Sequence, residues 1–210
     1  VALERDDARV QEIELEDFDA DILVICADAA QPQNLLLAGL RHRSCRGVLA
    51  ITDDDSANLA VAIASRLLNP ELMVVARVAN PAIERNMMSF GTHYVVNHFE
   101  KFADYLAQAI QSPSWFRLVD LLTRLPGQPV PERHDPPVGD WVVCGYGLFG
   151  QAVVRNLERQ GVSLTVIAPD LDLPLSVRHI VGHGMEAEPL RQAGIETAAG
   201  IVAGSDNDTN

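Results

Sequence analysis

Two stretches of this chain repeat one another, and that repeat restricts the fold more than any other feature. Leu35-Leu-Leu-Ala-Gly-Leu40, followed by Gly47-Val-Leu-Ala-Ile-Thr-Asp-Asp-Asp55, recurs as Leu190-Arg-Gln-Ala-Gly-Ile195 and Gly200-Ile-Val-Ala-Gly-Ser-Asp-Asn-Asp208. Upstream of these blocks, Val1-Ala-Leu-Glu-Arg-Asp6 corresponds in pattern to Thr165-Val-Ile-Ala-Pro-Asp170. Self-similarity of this kind means that one supersecondary unit is used twice. The two copies are unequal. The first enters at the second strand of its unit, and the second reaches Asn210 before its later strands.

Within each copy, short apolar runs alternate with helical patterns. Asp21–Cys26, Gly47–Ile51, Leu72–Val78 and Thr92–Val96 read as strands, with Ala57–Leu68 and Pro81–Phe90 as helices between them. Alternation of this sort predicts a parallel sheet with helices on both faces. Asp53, Asp54, Asp55 and Ser56 precede the run from Asn58 and supply a helix cap. Asn69-Pro70 and Asn80-Pro81 punctuate the connections. Two more helices, Glu100–Gln111 and Trp115–Leu125, lead into a run from Pro126 to Pro137 that holds five prolines and excludes regular structure. This organisation predicts a first lobe over residues 1–127, a linker over 128–138 and a second lobe over 139–210. A strand at Asp140–Cys144 opens the second lobe and runs into Gly145-Tyr-Gly-Leu-Phe-Gly150 and a helix from Gln151 to Gln160.

Composition removes several functions. The net charge of -13 repels phosphate backbones, so nucleic acid is excluded as a partner. Three scattered cysteines, Cys26, Cys45 and Cys144, make neither a disulfide framework nor a zinc cluster and point to a reducing compartment. Apolar stretches such as Leu59–Ala64 and Leu72–Ala76 end long before the ~18–20 residues of a spanning helix, so no segment is expected to cross a membrane. The opening residues carry no Met and no signal-peptide pattern, and they read as the middle of a strand in a longer protein.

The glycine loop carries the chemistry. Gly145-x-Gly147-x-x-Gly150 stands between a strand and a helix, where the first glycine permits the turn, the second admits a pyrophosphate and the third lets helix and strand pack closely. A loop that keeps its glycines for turn geometry alone is the competing reading. Dinucleotide binders place an acidic residue at the end of the next strand; that position is Ala168 in the second copy, with Asp170 two residues on. In the first copy it is Glu4, either a ribose partner or a solvated strand-end carboxylate. Thr52 and Asp53, like Ser205 and Asp206, follow the fourth strand, where they either contact a nucleotide or cation or cap a helix. Arg77 ends a strand at the same edge, as a phosphate clamp or as one half of an ion pair. No spacing of histidine, cysteine or serine suggests a catalytic constellation, although His183 lies near the ligand edge.

Taken together, Gly145-Tyr-Gly-Leu-Phe-Gly150, the Ala-Gly-Leu40 and Ala-Gly-Ile195 blocks, Thr52-Asp-Asp-Asp-x-x-Asn58, Asn69-Pro70, Val75-Ala-Arg77 and Gly91-Thr-His-Tyr-Val-Val96 carry a family likeness. It resembles the regulator-of-potassium-conductance domain, also called TrkA-N or KTN, across nearly its whole length. The resemblance implies an α/β fold with a Rossmann-like parallel sheet in two tandem incomplete copies. It implies a non-catalytic regulatory module of a bacterial potassium channel or transporter, on the cytoplasmic side of the membrane, assembling with itself into a gating ring beneath a pore domain in the same polypeptide or a partner subunit. The implied ligands are NAD(H), other adenine nucleotides and divalent cations. By position, Gly145, Tyr146, Gly147, Leu148, Phe149 and Gly150, with Asp170, Ser205 and Asp206, belong to a second site; Glu4, Thr52, Asp53 and Arg77 belong to the first. The helices over Glu100–Leu125 are implied as the pairing surface. A uptake-transporter subunit or an efflux-antiporter tail is a close variant, and an NAD-dependent oxidoreductase is the alternative from another class.

Overall fold

The computed structural model describes residues 1–18, 21–125, 127–129, 135–169 and 176–204, and it divides into two compact units, Val1–His98 and Phe99–Asn210. In the first unit the order is β1 (Ala2–Glu4), α1 (Asp7–Leu15), β2 (Val24–Cys26), α2 (Pro32–Leu37), β3 (Gly47–Ala50), α3 (Asp55–Leu68), β4 (Met73–Val78), α4 (Pro81–Ser89) and β5 (Tyr94–Asn97). All pairings are parallel, in two separate sheets of order β1-β2 and β3-β4-β5. One core serves both: Leu3 of β1 packs against the same cluster as Val74, Ala76 and Val78 of β4. That cluster is closed by α3, whose buried Asn58, Val61, Ala62 and Ser65 recur at helical spacing, and by Met87 of α4.

The three consecutive aspartates at the start of α3 have different work. Asp54 is the N-cap, its carboxylate accepting from Ser56 N at 2.8 Å and Ala57 N at 3.2 Å. Asp55 accepts from Ala79 N at 3.0 Å and Asn80 N at 2.7 Å, which fixes the turn from β4 into α4. Asp53 is exposed and makes no hydrogen bond among the described residues.

The second unit contains α5 (His98–Gln111), which starts on the last residue of the first unit, then α6 (Pro113–Thr123), β6 (Trp141–Cys144), α7 (Leu148–Arg159), β7 (Leu164–Ala168), β8 (Arg178–Val181), α8 (Ala187–Gln192) and β9 (Gly200–Ala203). Its sheet is one parallel ladder of order β8-β7-β6-β9. Every residue of β6 and β7 is buried, as continuous apolar strands of a covered parallel sheet should be. Gly200, the repeat equivalent of Gly47, lies beneath the Trp141 ring, where a Cβ would come within 2.5 Å of the indole.

Compactness divides the chain well before the proline-rich run where the sequence reading sets the lobe boundary. The reason is α5: its small-residue face buries Ala103 and Ala107, with Ile110, in the core formed by Trp141, Val143, Val153 and Leu157. Glu100 also accepts from Asn156 Nδ2 at 3.0 Å and pairs with Arg155. By contrast α6 has no buried residue. The described part of the proline-rich run holds no helix or strand. Strand and helix positions otherwise follow expectation with shifted ends: Asp21–Cys26 contracts to β2, Thr92–Val96 shifts to β5, and α3, α5, α6 and α7 each begin two or three residues before the expected start. Among the described residues no helix is long and apolar enough to cross a membrane.

Candidate functional site

The loop after β6 is built for close approach. Gly145 has φ of 96°, a left-handed turn that the glycine adopts without strain, and its N–H donates to Ile167 O at 2.8 Å. Gly147 is the N-cap of α7 with no side-chain cap, so N–H groups of the first turn are left for a ligand or solvent. Gly150 packs against the loop: a Cβ there would meet Gly145 O at 2.3 Å and Gly204 O at 3.2 Å. Two further glycines complete the enclosure. Gly204, after β9, lies against Gly150 Cα, where a Cβ would come to 3.1 Å, and Gly184, after β8, lies against Cys144, where a Cβ would come to 2.5 Å. Their signal in the sequence is a glycine soon after the end of a strand, one residue past β9 for Gly204 and three past β8 for Gly184, which carries meaning only once the strands are known to be neighbours.

Side chains of this loop face inward or remain neutral. Phe149 stacks in a tilted arrangement on Phe99 at 5.4 Å and Phe102 at 5.3 Å between ring centroids, so it anchors the loop to α5. Tyr146 packs against the same core; burial pushes its phenol pKa up, with Arg155 lowering it and Glu158 raising it. Burial likewise raises the Cys144 thiol, which keeps it protonated and inert. Leu148 opens α7 and is exposed. Ala168 is buried at the end of β7 and offers a ribose no hydrogen bond. Asp170, Ser205 and Asp206 lie outside the described residues.

In the first unit the carboxyl ends of β3, β4 and β5 are tied into one polar network. Asn58, fully buried, accepts from Thr52 N at 2.9 Å and Thr52 Oγ1 at 2.9 Å, and donates to Thr52 O at 2.8 Å and Arg77 O at 3.1 Å. Arg77 Nη1 donates to Thr52 O at 3.2 Å, and Nε lies 3.4 Å from His98 Nδ1. The ion pair offered as one reading of Arg77 does not form among the described residues; its guanidinium lies on an imidazole and a carbonyl, so its charge is not neutralised by a carboxylate. Glu4 does not join this network. Its Oε1 accepts from Arg5 N at 2.7 Å and Asp6 N at 2.9 Å, capping the turn after β1. Asn58 stood in the sequence only as the last residue of the motif Thr52-Asp-Asp-Asp-x-x-Asn58, with no contact assigned to it, and His98 gave no signal. No group of three or more His, Cys, Asp or Glu able to hold a metal ion occurs among the described residues.

Comparison with known proteins adds to this geometry. The TrkA-N domain family matches residues 1–98 and 141–210, leaving the stretch with α5, α6 and the proline-rich run unmatched. The Trk system potassium uptake protein TrkA of Streptomyces coelicolor is 35% identical over 75 residues, which span 33% of this chain and 34% of that protein. Among solved structures, a GsuK channel bound to NAD matches with a TM-score of 0.65 and 16% identity, covering 99% of this chain and 48% of that one. GsuK bound to ADP matches with a TM-score of 0.62 and 22% identity, covering 99% of this chain and 47% of that one. At these identities the GsuK likeness establishes the fold. This chain spans about half the length of the GsuK chains and about a third of TrkA.

Proposed function

This chain belongs to the TrkA-N domain family in both of its lobes, and on that premise we propose that it is a non-catalytic, ligand-sensing module that regulates a potassium channel or potassium transport system. The observation that carries the reading is the second-lobe loop: Gly145, Gly150 and Gly204 pack backbone to backbone and leave the N-terminus of α7 uncapped, a cradle that suits a phosphate. An NAD(H) or adenine nucleotide would set its phosphates on the N–H groups at Gly147 and Leu148, where the helix dipole favours negative charge. Because Ala168 replaces the ribose carboxylate, binding rests on phosphate and is weak. In the first lobe Arg77, with Thr52 and the exposed Asp53 beside it, is the place for a nucleotide phosphate or a divalent cation. Glu4, occupied by its own turn, has to release two backbone N–H groups before it can reach a ribose.

Regulation follows if ligand binds one arrangement of the assembled protein better than another; couplings of about 1–3 kcal/mol alter an equilibrium roughly 5- to 150-fold. Assembly with itself is assigned to α6, which leaves Trp115, Leu118, Leu121 and Leu122 exposed, and the whole unit acts beneath a pore domain at the cytoplasmic face of the membrane. The test is calorimetric titration of NADH, ATP and AMP into the purified chain, beside Gly147→Val, whose φ of -67° accepts a side chain while the Cβ blocks the anion. The expected result is weak, phosphate-dependent heat that Gly147→Val abolishes. Submicromolar affinity untouched by Gly147→Val overturns the phosphate cradle, and turnover of a nicotinamide cofactor overturns the regulatory reading in favour of an oxidoreductase.

A further inference from the structure

The net charge of -13 conceals a segregation of charge within the first unit. Strands β3, β4 and β5 are parallel, so the connections that lead into them, residues 38–46, 69–72 and 90–93, lie at one edge of the sheet. Hydrogen bonds hold this edge together: Asn69 Nδ2 donates to Leu40 O and Arg41 Nε to Leu68 O, both at 3.1 Å, and Val74 N donates to His93 Nδ1 at 3.2 Å. Arg66, near the end of α3, donates to Pro70 O, and its Nη2 stands 3.7 Å from where a Cβ on Gly91 would be. The edge thus gathers Arg41, His42, Arg43, Arg46, Arg66 and His93, with Glu71 as the one carboxylate in those connections. None of the four arginines forms an ion pair among the described residues. Glu4, Asp28, Asp53, Asp54 and Asp55 lie at the opposite, carboxyl edge, and the acidic helix α1 packs with β1 and β2 instead.

The fold itself does not require these cations. In the second lobe the equivalent connection, from Ile195 to Gly200, reads Glu196-Thr-Ala-Ala199 and holds no basic residue. Both connections start alike: Gly39 has φ of 91° and Gly194 of 80°, with Leu40 N donating to Leu35 O at 3.0 Å and Ile195 N to Leu190 O at 3.1 Å. The turn forms without positive charge, so the arginines of the first lobe are surplus to it. Two apolar side chains share their edge: Leu67, 77% exposed near the end of α3, and Phe90, 56% exposed at the end of α4. Arginines interleaved with exposed apolar side chains match a membrane surface, where headgroups take the charge and the boundary beneath them takes the apolar tips. A soluble anion would leave Leu67 and Phe90 uncovered.

We propose that this edge of the first lobe docks on a membrane surface rich in anionic lipid, with Arg43 and Arg46 on headgroup phosphates and Leu67 and Phe90 at the headgroup boundary. Local charge prevails over net charge because salt screens beyond about 8 Å. The six residues of β4 hold the acidic carboxyl edge roughly 17 Å away, about two screening lengths. Docked in this way, the strands β3, β4 and β5 point away from the bilayer, and the edge with Thr52 and Arg77 stays open to solvent. The proposal takes from the regulatory reading only its setting at the cytoplasmic face of a membrane, and vesicle binding is read without nucleotide, so its failure leaves the calorimetric result standing.

The test is co-sedimentation of the full chain with vesicles of equal parts phosphatidylcholine and phosphatidylglycerol, beside vesicles of phosphatidylcholine alone. Binding should require the anionic lipid and weaken as salt rises. Arg43→Ala with Arg46→Ala should lower partitioning roughly 30-fold, since each arginine near such a surface contributes about a factor of five. Both side chains are exposed and make no hydrogen bond among the described residues, so thermal unfolding should be unchanged. Arg9→Ala with Arg159→Ala removes the same charge from exposed positions elsewhere and should alter partitioning less than about twofold. Phe90→Ser should lower it roughly tenfold. Inorganic phosphate should displace the protein no better than chloride at equal ionic strength. The proposal is overturned if the anionic vesicles bring down no protein, if phosphatidylcholine alone binds as well, or if either the arginine pair variant or Phe90→Ser partitions as before. It is also overturned if the Arg9 and Arg159 variant loses as much, since net charge then governs, or if inorganic phosphate competes, which makes the edge a site for a soluble anion.

Discussion

Replacing Gly150 by alanine tests whether the glycine loop is held by contact or merely by turn preference. The new Cβ would stand 2.3 Å from Gly145 O, 3.0 Å from Gly145 C and 3.2 Å from Gly204 O, and all three are backbone atoms that cannot rotate away. Contacts of this type settle near about 3.5 Å, so the loop has to retreat by roughly 1 Å. Overpacking of this severity costs about 3 kcal/mol, and alanine returns about 1 kcal/mol of helix propensity within α7. The net loss of about 2 kcal/mol corresponds to roughly 30-fold more opening of the second lobe. Amide exchange of Val143 and Val166, fully buried in β6 and β7, should accelerate by that factor, while Val74 and Ala76 of the first unit keep their rates. Nucleotide heat should vanish with it. Gly161→Ala is the control: at φ of 70° it is strained by about 1–2 kcal/mol, yet a Cβ there meets nothing within 4 Å. It should destabilise without moving the loop, and nucleotide binding should persist. The reasoning fails if Gly150→Ala leaves Val143 and Val166 unchanged, or if Gly161→Ala abolishes the nucleotide heat as well.

Asn58→Leu should destabilise the first unit by about 2–4 kcal/mol, because Thr52 N and the carbonyls of Thr52 and Arg77 lose a buried partner; urea unfolding followed by exchange at β4 reads it. Cys144 should resist alkylation at neutral pH while the exposed Cys26 reacts, as peptide mass mapping would show. Since burial raises the Cys144 pKa, the unfolded chain loses that proton first. Its contribution to stability is therefore complete below the ordinary thiol range and falls as pH rises through it toward the higher folded value. Finally, Trp115→Asp with Leu122→Asp on α6 should reduce any self-assembly seen by light scattering without lowering stability, because neither side chain is buried in the folded chain; an unchanged mass for a protein that does assemble removes α6 from the interface.

Local patterns already specified a good deal. The run Trp141–Cys144 followed by three spaced glycines could only be a buried strand turning into a helix, and the aspartates ahead of Asn58 announced a cap before α3. Other elements were silent. In α1 only Val10 is buried, so no apolar stripe marks it, and α2 and α8 have six residues each, too few to show a helical period. The first-lobe candidate site was half legible: Thr52 and Arg77 do meet, directly and through Asn58, with His98 on the Arg77 guanidinium, while Glu4 satisfies its own turn.

What the amino-acid sequence determined by itself was local or periodic: a duplicated α/β unit, its parallel strands, the place of the glycine loop and an alanine, Ala168, at the end of the strand after it. These follow from neighbours in sequence, where alternation, caps and glycine spacing act directly on the backbone. Tertiary structure alone decided which residues meet across the sheet. It brought Gly184 and Gly204 onto the loop and gave α5 to the second unit through Ala103 and Ala107. The reason is physical: strand order and close packing depend on which apolar faces find a partner in space, and no residue records its distant neighbour in its own local pattern.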